Sequence, residues 1–259
     1  MIDDRLFFPM LLGGLMAGLL MAASGPPSLR IGNFTAQSPS RELPAGWKQI
    51  RFGQNESSSR YELVRREDST VVVRARSDNG ASGLITRQRV DLAQYPILEW
   101  RWKVTDVPTR ADVAADTTAD AAARVYVTFD YDGLGFFDRL KLLLLRRVAM
   151  PEAPSRALNY LWATRRERGT PVTSPYTDQI RMLPVRSGAT RVGEWVRERR
   201  NVWMDYRALF GEDPPPVNGV AIMTDTDNTG GTAQAFYGDI VFRAAPAGTD
   251  SIATGPENR

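Results

Sequence analysis

Alternation with a period of two runs through most of this chain. In 97–104, Leu98, Trp100, Trp102 and Val104 fall on one side of an extended segment, and Glu99, Arg101 and Lys103 on the other. The same rhythm returns in 123–131, where Ala123, Val125, Val127 and Phe129 alternate with Arg124, Tyr126, Thr128 and Asp130. In 195–202 it is Arg197, Arg199 and Asn201 that alternate with Val196, Glu198, Arg200 and Val202. Further short runs at 48–52, 60–64, 70–76, 82–88, 158–163, 179–185, 217–226 and 234–242 are rich in β-branched and aromatic residues and are separated by turn formers. The pattern predicts an all-β fold, an antiparallel β-sandwich of jelly-roll type with one or two short helices.

Two segments break the rhythm. In 136–148, Phe136, Leu140, Leu143, Leu144 and Val148 recur at helical spacing, with Asp138 in the first turn and Arg146 and Arg147 in the last. This predicts a helix that packs on the sandwich or faces a membrane surface. A second short helix is expected over 203–210, closed by Gly211 and by Pro214-Pro-Pro216. At the front, Leu6 to Ala23 is an apolar stretch of eighteen residues ending in Ala22-Ala-Ser24, which reads as a signal peptide or, uncleaved, as a membrane anchor. The expected organisation is therefore leader or anchor 1–24, a Ser/Pro/Gly-rich tether 25–45 with one short strand near 31–35, a sandwich domain 46–244 and a disordered tail 245–259. That places the protein in the periplasm or outside the cell, with inner-membrane attachment through the N-terminal segment as the alternative.

Composition narrows the chemistry. The 259 residues are 42% hydrophobic and 24% charged, and 33 Lys and Arg against 30 Asp and Glu leave a net charge of only +3, which gives little support to nucleic-acid binding. With no histidine and no cysteine, His-based and thiol catalysis, disulfides and the usual zinc ligand sets are excluded. Catalysis, if any, falls to carboxylates, Lys, Tyr, Ser or Arg.

The charged mid-strand rows read in three ways: as a solvated face, as a salt-linked network under loops, or as the floor of a polar groove. The groove reading yields a function, with Arg101, Lys103, Arg124 and Tyr126 as floor, Asp205 and Asp225 as rim and Tyr237 nearby. A second feature is the turn Met223-Thr-Asp-Thr-Asp-Asn-Thr-Gly-Gly231, where Asp225, Asp227 and Asn228, with Asp239 from the last strand, could hold calcium through oxygen ligands. The competing reading is that Asp and Asn simply bond the turn backbone. Asp112, Asp116 and Asp120 form an acidic series expected in a loop, and Tyr160, Trp162, Trp195, Trp203 and Tyr237 serve as sugar-stacking or core aromatics.

Several pieces together carry a family likeness: Leu43-Pro-Ala-Gly-Trp47, Leu98-Glu-Trp-Arg-Trp-Lys103, the segment from Asp120 to Phe129, Leu158-Asn-Tyr-Leu-Trp162, Glu198-Arg-Arg-Asn201 with Asp205-Tyr206 and Phe210-Gly211, and Met223 to Thr229 with Tyr237-Gly-Asp239. In these the chain resembles the bacterial domain-of-unknown-function 3047 family. The resemblance implies a stand-alone exported domain and implies no activity. A looser likeness, at the level of fold, is to jelly-roll carbohydrate-binding modules. The functional expectation is non-catalytic binding of a glycan or other anionic polymer. The alternatives are a polysaccharide lyase or hydrolase using Tyr, Lys and Asp chemistry, and a structural partner protein at the membrane.

Overall fold

The structure, a computed structural model, describes residues 27–51, 58–134 and 154–246. Its strands are β1 (Ser28–Gly32), β2 (Lys48–Arg51), β3 (Arg60–Arg65), β4 (Val71–Asp78), β5 (Ser82–Val90), β6 (Ile97–Val104), β7 (Ala121–Phe129), β8 (Arg156–Ala163), β9 (Val172–Thr173), β10 (Ile180–Ser187), β11 (Val196–Asn201), β12 (Val217–Asp225) and β13 (Thr232–Arg243), with one helix, α1 (Val202–Phe210), among the described residues. They form the expected sandwich. One sheet runs β11-β6-β13-β4-β3, with β1 also on β13, and the other runs β2-β5-β12-β7-β8-β10-β9.

The core is built by the inward half of each alternation. Trp100 and Trp102 of β6 meet Tyr160 and Trp162 of β8 across the sandwich, with ring centroids 5.4 Å apart for Trp100–Tyr160 and 6.1 Å for Trp102–Trp162. All four are buried, as are Phe129, Leu84, Leu98 and Phe242. Burying each such side chain stabilises the fold by roughly 1.5–3 kcal/mol. A further tie joins the sheets at one edge: Glu198 of β11 accepts two bonds from Arg186 of β10, at 2.6 and 3.1 Å, and one from the Trp102 indole at 3.1 Å.

The sheets differ on their outer sides. Every residue of β8 is buried, and β7 is buried throughout except at Tyr126. A second small core of Val113, Ala121, Leu161, Ala163 and Met182 covers that side of the second sheet. The outer face of the first sheet instead keeps exposed or half-buried ionic residues along β6 and β11.

Three expectations need correction. The second sheet is not purely antiparallel, because β10 pairs parallel with β8. The stretch expected as a tether does not hang free: β1 pairs antiparallel with the end of β13, Phe34 is fully buried against Trp47, and Ser40 bridges to Leu63. The reason is backbone satisfaction, since β4 accompanies β13 only through Tyr237 and the strand's last residues need a partner on that side. The strand expected near 31–35 therefore lies a few residues earlier. Helix α1 matches its expected span, capped by the Asn201 side chain accepting from the Met204 amide at 3.0 Å and closed by Gly211 at φ 78°. The helix expected over 136–148 lies outside the described residues.

Candidate functional site

The outer face of the first sheet carries a groove of about 520 Å³ lined by Arg30, Arg101, Arg197, Arg199, Arg243, Glu99 and Asp239, with Thr35, Thr70 and Val241 between them. Period-two alternation places most of these side chains outward. Antiparallel pairing sets Arg101 opposite Arg197 and Glu99 opposite Arg199 across β6 and β11, and Val241 opposite Glu99 across β6 and β13. A register shift between Tyr237 and Ile240, at Gly238-Asp239, opens the floor where β4 leaves β13 and β1 takes over. Gly238 is required there: a Cβ would lie 2.5 Å from Arg101 Cγ, so only a bare backbone lets the arginine stem cross it.

Each cation in the groove has a different degree of compensation. The Arg101 guanidinium sits 4.7 Å above the Trp195 ring, donates to Thr70 Oγ1 at 2.7 Å and lies 3.4 Å from Asp68. Asp68 is held below the usual carboxylate range by the Thr70 hydroxyl and amide, with Arg101 adding to this. Glu99 accepts from Arg199 Nε at 3.2 Å and from Arg243 Nε at 2.5 Å. Asp239 accepts from the Thr35 amide at 2.9 Å and lies 3.6 Å from Arg30. Arg197 is exposed and has no partner among the described residues. Glu198 also lines the groove, but its carboxylate is turned inward to Arg186. Five arginines thus face two outward carboxylates, and the groove is cationic.

Arg124 and Tyr126 are not part of this groove. They project from β7 on the outer side of the second sheet, the opposite face of the sandwich, beneath the small second core. Arg124 Nε and Nη2 donate to the two oxygens of Asp225 at 2.8 and 3.0 Å, Nη2 also donates to the Ala119 carbonyl, and with the Asn159 amide in its satisfied orientation Nη1 and the Tyr126 hydroxyl both donate to its oxygen. Burial pushes the Asp225 carboxyl up to about 6 even though Arg124 opposes this, and nearby Asp120 and Asp227 push the same way. This is a closed structural network.

The carboxylates that gather there are Asp120, Asp225 and Asp227, with oxygens within 4.8 Å of one another. Asp239, expected with them, sits in the other sheet, and Asp120 takes its place. The donor set does not fit a calcium cage. The Arg124 guanidinium already bridges both Asp225 oxygens and brings its positive charge into the cluster, and Asp120 accepts from the Asn228 and Thr229 amides at 3.1 and 2.8 Å. The Asn228 side chain bonds the Asp116 carbonyl and the Tyr176 hydroxyl. The cation at this cluster is an arginine, while calcium needs six to eight oxygens.

The remaining expected residues are also dispersed. Asp205, in the first turn of α1, accepts two bonds from Arg200 and one from the Tyr160 hydroxyl at 2.8 Å, pinning the helix to both sheets. Tyr237 faces the core, where its hydroxyl donates to the Met223 carbonyl at 2.6 Å and accepts from the Arg124 amide at 3.3 Å. Lys103, half-buried opposite Phe236, lies farther along the same face as Arg101. The single shared surface expected for these rows is therefore split in two.

Residues 45–241 match the family described as Protein of unknown function (DUF3047). The chain belongs to that family. No curated protein matches it significantly. Among solved structures, the DUF3047 chain is similar to the glycoside hydrolase domain of Endo-D from Streptococcus pneumoniae, at 10% identity and a TM-score of 0.36 over 76% of this chain and 21% of that one. It thus spans about a fifth of that structure's length. It is also similar to a cleaved adhesin domain of Lys-gingipain from Porphyromonas gingivalis, at 13% identity and a TM-score of 0.37 over 85% of this chain and 99% of that one. A family 12 xyloglucanase from Bacillus licheniformis gives 9% identity and a TM-score of 0.42 over 85% and 100%.

In this DUF3047 domain the groove residues that sequence reasoning left out of its site are Arg30, Arg197, Arg199, Arg243 and Glu99. The alternation in β11 and β6 had already set Arg197, Arg199 and Glu99 on outward positions, so that signal was present. Arg30 carried none, since it depends on β1 docking beside β13, and Arg243 lies just past the end of the last run read from the sequence, where β13 pairs with β6.

Proposed function

We propose that this chain is an exported, non-catalytic binding domain that holds a glycan or other anionic polymer in the groove on the outer face of its first sheet. The observation that carries this is Arg101 facing Arg197 across a hydrogen-bonded strand pair. Like charges directly opposite one another are destabilising, and water alone gives no reason to keep them. Arg101 is compensated by Trp195, Thr70 and Asp68, which leaves the Arg197 fork available to an incoming carboxylate, sulfate or phosphate. The surrounding arginines concentrate field in the concavity and raise the local density of anionic chains.

A binding role is favoured over hydrolysis by the state of the carboxyls. A glycosidase needs an acid whose pKa is raised and which faces the substrate. Among the described residues, Asp106 and Asp225 are carboxyls raised by burial, and neither lines the groove. Glu99 and Asp239, which do, are tied to arginines and a backbone amide. Export is supported by the apolar stretch Leu6 to Ala23 and its small-residue end at Ala22-Ala-Ser24. The test is a titration of the full chain with anionic and neutral polysaccharides: salt-sensitive binding of the anionic ones, lost in an Arg101→Ala, Arg197→Ala double variant, is expected. Equal binding of neutral polymers, or binding indifferent to the two arginines, would overturn the reading.

A further inference from the structure

The groove is cationic overall, but it is not lined by cations alone. Glu99 and Asp239 open into it, and each carboxylate has more lone-pair sites than its present partners occupy. Glu99 receives one N–H on each oxygen, and the Asp239 oxygen nearer Arg30 lies 3.6 Å from that side chain, beyond hydrogen-bond length. The lining therefore offers guanidinium donors and carboxylate acceptors side by side, over a floor that includes the buried Val241. Each donor wants an anion. Each spare acceptor wants a hydroxyl or another uncharged donor, because a second anion there would be repelled.

We infer that the ligand is an acidic glycan of the uronate type, bearing both carboxylates and free hydroxyls, and not a phosphate polymer; this rests on the reading of the groove as an anion-binding surface. The carboxylates of such a chain meet the Arg101–Arg197 pair and the Arg199 side chain. Arg197 and Arg199 are two residues apart on one strand, hence roughly 6.5 Å apart along it, so successive acidic groups on one polymer can be engaged together. Its hydroxyls donate to Glu99 and Asp239. A polyphosphate satisfies the arginines equally well but brings no donor for the two carboxylates, and each phosphate passing Glu99 or Asp239 is repelled.

The test titrates the full chain, at one fixed ionic strength, with polygalacturonate and alginate, with fully methyl-esterified polygalacturonate, which keeps hydroxyls but loses charge, and with inorganic polyphosphate, which keeps charge but has no hydroxyls. At least one uronate polymer is expected to bind about tenfold more tightly than either control. Glu99→Gln is expected to narrow the gap by strengthening polyphosphate and weakening the uronate. Polyphosphate binding as tightly as the uronates in the wild-type chain overturns the inference and leaves the anion-binding reading standing. An ester that binds as well as the acid, or no binding by any of the four, overturns both. Because the wild-type comparison alone decides these outcomes, a Glu99→Gln chain that fails to fold does not rescue the inference.

Discussion

Arg124 and Asp225 form a two-point ion pair whose side chains are only 5% and 4% exposed, on the face of the sandwich away from the groove. The pair sits among further carboxylates, which is why burial and like charge together hold Asp225 near 6. An unfolded aspartate titrates near about 4, so the native state binds this proton more tightly. The contribution of that proton is full below about pH 4 and is lost as pH rises through about 6. Chemical denaturation across this window should show the stability advantage of wild type over Asp225→Asn shrinking by about 1–3 kcal/mol as pH rises. A difference that stays level or grows with pH would contradict the assignment.

The two arginines that face each other should separate binding from stability. Arg197→Ala removes a side chain without a partner among the described residues and relieves cross-strand repulsion, so thermal melting should be unchanged or slightly raised, within about 0.5 kcal/mol. Affinity for an anionic polymer should fall about tenfold. Arg101→Ala should lose similar affinity and also cost about 1 kcal/mol, because the Trp195 and Thr70 contacts go with it.

Gly238→Ala tests whether the groove depends on one bare backbone position. The added methyl occupies the path of Arg101 Cγ and Nε, so the guanidinium must leave the Trp195 face. Polymer affinity should drop toward that of Arg101→Ala, while Trp195 fluorescence shifts as its cation is withdrawn. Unaltered fluorescence and affinity would show that the arginine reaches its position by another route.

Calcium should not stabilise the protein. Arg124 already neutralises Asp225, and the oxygens of Asp120 are bonded to two amides. Melting temperature is expected to be the same with millimolar calcium and with chelator. A clear rise with calcium that disappears in Asp227→Asn would reverse this.

The fold was largely legible because alternation is a local signal. Trp100, Trp102, Val125 and Phe129 announced their faces from neighbouring residues alone, and the cap and stop of α1 stood in Asn201, Gly211 and the prolines after it. What alternation could not tell is which side of which sheet two outward rows share. Arg101 and Arg124 have the same local pattern, yet β6 and β7 lie in different sheets of the sandwich, so their outward directions diverge. The parallel β8–β10 pair and the docking of β1 escaped for the same reason, since both are set by contacts far apart in sequence. The Arg124 network looked like a site because a buried ion pair and an open one are spelled with the same residues; only the small apolar roof of Val113 and Met182 distinguishes them.

The contact between the Thr35 amide and Asp239 joins positions 204 residues apart, and β1 finds its partner only in the final strand. A growing chain therefore cannot close its first sheet, or assemble the Arg30 end of the groove, until it has been synthesised through Arg243. Closure over so long a span is entropically slow. Under the export and polymer binding proposed above, that delay keeps the polypeptide extended during transit, and the proposed binding surface forms only after it.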